Sequence, residues 1–312
     1  MTHPWQADID ISLDLAAACI DAQFPELGNA KLTVVGEGWD NVAFGVKRSY
    51  VFRFPRRKIA VKLLETETAV LPWLAPQLPL PIPTPIFIGG PSADYPYPFA
   101  GYCFLPGITA CRADLADAQR TALAEPLALF LRAVHSADSA RARELGAAGD
   151  AFDRLNVSRL AAPTRARIES LADRGIITAD VATRLIEVLN ATPTDIPPRT
   201  ETLVHGDLYA RHLLVSPHPS RLLTGIIDWG DLHLGDPALD LSIVFTFLPP
   251  KARDAFWSTY GQADERGLAL ARFRAVCGMS WIVHYAAETR EADLLRESLW
   301  ALQNVTSDRL GP

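Results

Sequence analysis

The sequence predicts an α+β fold in two lobes, a small β-rich one over residues 1–104 and a mostly helical one over residues 105–312. Three observations carry that reading. Short runs with period-2 alternation crowd the first hundred residues. Long alanine- and leucine-rich stretches of helical spacing fill the remainder. A strand-like polar segment, Leu203–Val215 followed by Gly225–Asp231, is embedded among those helices.

In chain order, Ile9, Leu13, Ala16, Ala17, Ile20 and Phe24 recur at helical spacing and predict a helix over Asp8–Phe24. Lys31–Val35 and Asn41–Val46 are β-like runs flanking Gly36-Glu37-Gly38-Trp39-Asp40. Ser49–Phe54 alternates Tyr50, Phe52 and Phe54 against Val51 and Arg53, as a strand does. Ile59–Leu74 reads as a helix. Leu78–Pro85 is too proline-rich for any regular element. Ile86–Gly89 and Phe99–Leu105 are strand-like. After Pro106-Gly107 come one long helix over Leu115–His135, two helical stretches within Ala161–Asn190, the polar segment, and helices through Ala252–Leu310.

With 49% hydrophobic and 21% charged residues among 312, the chain has material for a large core and does not read as disordered. A formal net charge of -6 is no footprint for nucleic acid. No apolar run approaches the roughly 20 residues a membrane helix needs, and the first residues lack a basic stretch followed by an apolar one. Cys19, Cys103, Cys111 and Cys277 are scattered, with no Cys-x-x-Cys, and read as reduced thiols of a cytoplasmic protein.

Three residues carry the chemistry. Asp207 follows His-Gly in a loop-like stretch and suits an orienting group or base for an acceptor hydroxyl; a turn-forming Asp after Gly is the plainer reading. Asp228 ends the apolar run Leu222–Ile227, where a carboxylate is costly unless paired or metal-bound, and is the strongest metal-ligand candidate. His212, five residues after Asp207, joins it as a ligand, although a hard cation such as Mg²⁺ prefers oxygen and a structural histidine is the alternative. One carboxylate to orient a hydroxyl and two groups to hold a metal are the minimal equipment for phosphoryl transfer. Asp236 and Asp240 are expected to be structural, Asp240 through a hydrogen bond to the Asp207 loop.

Arg53, in mid-strand among aromatics, calls for an anionic partner, either nucleotide phosphates or a carboxylate such as Glu67 on the following helix; an outward-facing strand charge is the alternative. Gly36-Glu37-Gly38 is short enough to lie over phosphates, although hairpin turns look the same. No Gly-x-x-x-x-Gly-Lys-Ser/Thr run occurs, which excludes a P-loop enzyme, and neither Gly-x-Ser-x-Gly nor His-Glu-x-x-His is present.

Taken together these residues resemble the aminoglycoside phosphotransferase family of antibiotic kinases, which have a bilobal protein-kinase-like fold. His205-Gly206-Asp207 through His212 is similar to its catalytic loop. Ile226–Asp231 is similar to its metal-binding strand end, and Gly235-Asp236-Pro237-Ala238-Leu239-Asp240 continues the pattern. Tyr50–Pro55, Leu78–Pro83 and Phe99–Tyr102 look like the aminoglycoside 2″-phosphotransferases. His205–Tyr209 and Ile227-Asp228-Trp229 look like the macrolide phosphotransferases. Both branches carry His at the position of His212.

The resemblance implies that Arg53 contacts phosphates and pairs with Glu67. It implies that the backbone of Cys103–Leu105 meets the purine, that the donor is ATP or GTP, and that Mg²⁺ sits on His212 and Asp228. The acceptor it implies is a macrolide or aminoglycoside, and phosphorylation then gives resistance. Tyr209, Asp231, Phe247, Tyr285 and Glu288 are the candidate acceptor contacts. The 2″-branch departs in one respect. Its acidic cluster for amino groups is replaced here by Ser242–Pro250, which holds no carboxylate, so a bulky, partly apolar acceptor with one amine suits Phe245, Phe247 and Leu248 better. Glu288, Glu291 and Asp293 are the alternative acids, and Trp281, Tyr285 and Trp300 read first as core aromatics.

The expected protein is a monomer or weak dimer that binds a nucleoside triphosphate and a small molecule, with neither nucleic acid nor membrane. A kinase of a primary metabolite, such as an amino alcohol or sugar derivative, is the alternative on the same scaffold. A non-catalytic nucleotide-binding protein is the alternative of another class. A protein kinase has little support, because the Asp-Phe-Gly and Ala-Pro-Glu signatures are missing.

Overall fold

The computed structural model describes residues 7–28, 31–38, 40–199, 201–218 and 220–307. Its first helix, α1 (Leu13–Gln23), is shorter than the sequence suggests. Ser12 caps it, accepting a hydrogen bond from the Leu15 amide at 3.1 Å. Residues 8–12 are not helical; the amides of Asp8 and Ile9 donate to the carbonyl of Arg56 instead. The core face of α1 is therefore Ala16, Cys19 and Ile20, and Leu13 is exposed.

Strands β1 (Leu32–Glu37), β2 (Asn41–Val46) and β3 (Tyr50–Pro55) form an antiparallel meander. Helix α2 (Lys58–Leu74) follows, then β4 (Pro85–Gly89) and β5 (Phe99–Cys103). The sheet order is β1-β2-β3-β5-β4. Pleating sorts β3 as its sequence alternation predicts. Phe52 and Phe54 join Phe44, Tyr95 and Phe99 in a buried aromatic core with α1, and Phe54 stacks on Phe99 at 4.4 Å. Arg53 points to the other face, across from Ala43 and Ala100, where α2 brings Glu67.

Chain passes to the helical part through Phe104–Gly107. Gly107 has φ +141°, and a Cβ there would lie 2.5 Å from the Thr224 hydroxyl, so the connector can press against the strands beyond it only without a side chain. β6 (Ile108–Thr109) leads on to α3 (Asp117–Ala122) and α4 (Ala124–His135).

The single helix expected over Leu115–His135 is thus two. Pro126 explains the break. In a continuous helix its ring would clash with the carbonyl of Ala122, whereas in the first turn of α4 it is tolerated. Apolar spacing persists through the break (Leu123, Leu127, Phe130, Leu131 and Val134 are all buried), so periodicity alone did not reveal it.

α5 (Ser139–Glu144), α6 (Val157–Asp173) and α7 (Ala179–Ala191) precede β7 (Thr202–Val204), β8 (Leu213–Val215), β9 (Leu223–Ile226) and β10 (His233–Gly235). β10 pairs with β7, and β8 lies between β6 and β9. Helices α8 (Ala238–Phe247), α9 (Pro250–Tyr260), α10 (Glu265–Thr289) and α11 (Ala292–Val305) complete the chain. The end of the expected helical stretch, at Leu310, lies outside the described residues, as does Trp39. One continuous apolar core unites α4, α6 to α11 and the motif strands. No helix among the described residues is long and apolar enough to cross a membrane, and the four cysteines are free thiols.

Candidate active site

The loop after β7 is held by one buried carboxylate. Asp240, in the first turn of α8, accepts the backbone N–H of His205 at 2.7 Å and of Gly206 at 2.9 Å. His135 Nε2 lies 3.1 Å from the same carboxylate, and its Nδ1 lies 2.8 Å from the Tyr260 hydroxyl. Burial alone would raise the pKa of Asp240; His135 and the loop N–H groups outweigh it and hold the carboxyl below its usual range. Gly206 has φ +88°, and a Cβ on it would fall 2.3 Å from the Asp231 carbonyl, so only glycine closes this turn.

His205 is fully buried and tilted against Trp229 at 4.7 Å. Its Nε2 lies 3.0 Å from the Ile227 carbonyl and must carry the proton. Burial pushes its pKa down, so it serves as a neutral strut between the Asp207 loop and the end of β9. Asp207 emerges beyond it with 38% of its side chain exposed.

Four further groups converge there. His212 closes a 3₁₀ turn, Ala210–His212, that also tucks Tyr209 against its ring at 4.4 Å. His212 Nδ1 donates to the Asp207 carbonyl at 2.7 Å, and its Nε2 lies 3.3 Å from Asp228 Oδ2. Asp228 has φ +66°, a left-handed conformation that Asp tolerates, and its other oxygen lies 3.3 Å from Arg53. Arg53 in turn grips both oxygens of Glu67, at 2.8 and 3.0 Å.

The electrostatics are those of a tightly coupled chain. Burial raises the pKa of Asp228, but His212 and Arg53 overwhelm it and hold the carboxyl far below the usual range. Burial opposes charge on His212, yet Asp228 raises its pKa above 6.5. Burial raises Glu67 more than Arg53 lowers it, and the Arg53 guanidinium, despite burial, is held charged by Glu67 and Asp228.

The described residues contain no group of three or more His, Cys, Asp or Glu side chains able to hold a metal. His212 Nε2 and the Asp228 carboxylate supply two donors on one side. That set fits a divalent cation whose remaining ligands are phosphate oxygens and water, the usual habit of Mg²⁺.

The other expected residues are distributed as follows. Gly36 and Glu37 end β1, paired with Ala43 and Val42 of β2, and of the three only Gly38 lies in the β1–β2 turn, its amide donating to the Asn41 carbonyl at 2.9 Å; Glu37 pairs with Arg56. Asp40, at the end of that turn, is close enough to Asp231 to raise its pKa. Asp231 meets Arg154, but burial and Asp207 prevail and push its pKa up to about 6. Cys103 is exposed at the end of β5, and Leu105 packs over Gly225 of β9. Tyr285 packs against the core beside Arg211 and Glu291, and Glu288 is engaged by Arg174 at 2.8 Å.

Two expectations are corrected. All ten residues of α8 are buried, so Phe247 faces no ligand and lies instead under the Arg120 guanidinium; Phe245 and Leu248 are core as well. Trp281 lies half-buried between Arg167 and His284 rather than in the core. One site residue was missed. Arg274, on α10, lies 3.9 Å from Asp207, and a lone Arg in a helical sequence gives no sign of what it will meet.

Against known proteins, the sequence model of the phosphotransferase enzyme family (APH) matches residues 31–275. The uncharacterized protein YcbJ of Bacillus subtilis (strain 168) is 29% identical over 116 residues, 36% of this chain and 37% of YcbJ, so the match spans little more than a third of that relative. The GDP and kanamycin complex of APH(2″)-IIIa superposes with a TM-score of 0.66 at 24% identity, covering 94% of this chain and 98% of that one. The macrolide 2′-phosphotransferase MphH from Brachybacterium faecium gives 0.54 at 23%, covering 88% and 91%. At these identities the likeness is one of fold.

Proposed function

Because this chain belongs to the phosphotransferase enzyme family, we propose that it moves the γ-phosphoryl group of ATP or GTP to a hydroxyl of a small molecule. The nucleotide lies between residues 1–104 and 105–312. The backbone of Cys103–Leu105 meets the purine, Gly36–Gly38 covers the phosphates, and Arg53, braced by Glu67, contacts them. Asp207 accepts a hydrogen bond from the acceptor hydroxyl, aims its oxygen at phosphorus, and takes the proton late, since a loose transition state leaves it on oxygen until transfer is advanced. His212 and Asp228 would hold Mg²⁺, which supplies charge neutralisation to the phosphates. The observation that supports this reading is the convergence of Asp207, His212 and Asp228 with the Arg53–Glu67 pair.

An antibiotic is the acceptor class supported by two of the neighbours, one a complex with kanamycin and the other a macrolide 2′-phosphotransferase. Phosphorylation would add a dianion to the drug, disrupt its target contacts and give resistance. A second reading, a hydroxylated metabolite, is favoured by one observation: a guanidinium, Arg274, stands beside Asp207, where a polyamine would need acids. The test is a panel of aminoglycosides, macrolides and small amino alcohols with ATP and with GTP, read by mass for the gain of one phosphate. A gain on an antibiotic supports the first reading. Nucleotide bound but never turned over with any acceptor counts against both.

A further inference from the structure

The geometry points to an acceptor that carries an anionic group, a carboxylate or a phosphate, seated by Arg274 and Arg167 while its hydroxyl meets Asp207. This rests on the phosphotransfer reading and, of its two acceptor classes, favours the hydroxylated metabolite.

Arg274, Gly278, Trp281 and Tyr285 recur on α10 at intervals of four, three and four, and so share one stripe of the helix. On one side of the stripe α10 packs on α6, through the Thr164 hydroxyl on Cys277 Sγ at 3.3 Å and Arg167 donating to the Ser280 hydroxyl at 3.2 Å. On the other side stands the catalytic loop, with Asp207 3.9 Å from Arg274 at one end and Arg211 near Tyr285 at the other. Gly278 leaves the middle of the stripe open. A Cβ there would find only the tip of Arg274, at 3.9 Å.

The charges on this surface are unbalanced. Glu288 is paired with Arg174 at 2.8 Å and Glu291 with Arg211 at 3.1 Å. Asp207 is reserved for the hydroxyl. Arg167 is held by the Ser280 hydroxyl and by the Trp281 ring, 5.0 Å from its guanidinium, and no carboxylate among the described residues lies within ion-pair distance of it. Burial lowers its pKa, and the Cys277 thiol offsets only part of the loss. A half-buried guanidinium with one hydroxyl and one ring face but no counter-charge is only partly compensated for the hydration it has lost. Its planar fork matches a carboxylate or a phosphate. An acceptor with several ammonium groups would instead meet two guanidiniums.

The experiment uses three probes of one shape: 4-(hydroxymethyl)benzoate, its methyl ester, and 4-(hydroxymethyl)benzylamine. Each is titrated calorimetrically into the full chain, with and without Mg²⁺ and GDP. The benzoate should bind about ten-fold or more tighter than the ester, and the amine weakest, a margin expected of one charge-assisted pair. Arg167→Met should erase that preference while the ester's affinity stays, and Arg167→Lys should restore part of it. Equal affinities, preference for the amine, a benzoate that fails to bind in the millimolar range, or a preference untouched by Arg167→Met would overturn the proposal. Failure of the protein to bind Mg²⁺ and GDP at all is a separate result, and sinks the phosphotransfer reading instead.

Discussion

Nε2 of His212 faces Asp228 Oδ2 at 3.3 Å because Nδ1 of the same ring is committed to the Asp207 carbonyl at 2.7 Å. A lone pair and a carboxylate cannot face each other bare, so a cation must stand between them, either a proton or a metal. The raised pKa of His212 describes the protonated case.

Proton and metal should therefore compete. A metal needs the neutral ring, so its binding releases the proton wherever His212 is charged. Affinity for Mg²⁺ and GDP falls as pH drops through the raised His212 pKa, by up to about ten-fold per pH unit. Calorimetry in buffers of different ionisation enthalpy reads the released proton directly. His212→Asn, which offers an oxygen, should flatten the pH profile; an equally flat profile in the unaltered chain would show that His212 takes no part.

Asp207→Asn keeps the shape of the loop and removes the acceptor of the hydroxyl proton. Turnover should fall between about a hundred- and ten-thousand-fold. Affinity for GDP should change by less than about two-fold, because Asp207 acts only on the reacting hydroxyl. A single-turnover rate that stays the same would remove Asp207 from the chemistry.

How legible these groups were depended on how local their arrangement is. Asp207, His212 and Asp228 could be singled out because short strands and a 3₁₀ turn set their relative positions within 22 residues. The Arg53–Glu67 pair was readable because a charge alternating with aromatics on a strand demands a partner. Pro126 did announce the break between α3 and α4, but the apolar periodicity running through it was the louder signal. Phe247 misled for a related reason: an apolar run without carboxylates looks the same whether it lines a pocket or, as here, is buried all round. Arg274 was beyond reach, since its meeting with Asp207 is decided by how α10 crosses the loop, 67 residues away along the chain.

Gly206→Ala should damage the fold before the chemistry. It places a Cβ at a positive φ and 2.3 Å from a backbone oxygen that cannot move aside. A loss of about 2–4 kcal/mol is expected, seen as a lower midpoint in urea unfolding. Gly38→Ala is the matched control. Its nearest neighbour would be 3.5 Å away, so its cost should stay within about 0.5 kcal/mol. Comparable losses for the two would mean that steric closure of the loop is not what Gly206 provides.

Asp231 gives a stability prediction with a definite sign. Its pKa rises from an ordinary 3.8 to about 6, because burial and Asp207 disfavour its charge more than Arg154 favours it. The folded state thus holds this proton more tightly than the unfolded chain does. The stabilisation from that proton is fully present below about pH 4 and is lost as pH rises through about 6. At pH well above 6 the ionised Asp231 is a net liability, and Asp231→Asn should relieve it. The gain should not exceed about 1 kcal/mol, since a third of the side chain is open to solvent and screened. It should vanish near pH 4, where both the carboxyl and its replacement are neutral in the fold. Urea unfolding of both proteins at the two pH values decides it. A variant less stable than the parent at high pH would mean that the contact with Arg154, rather than crowding by Asp207, governs this carboxylate.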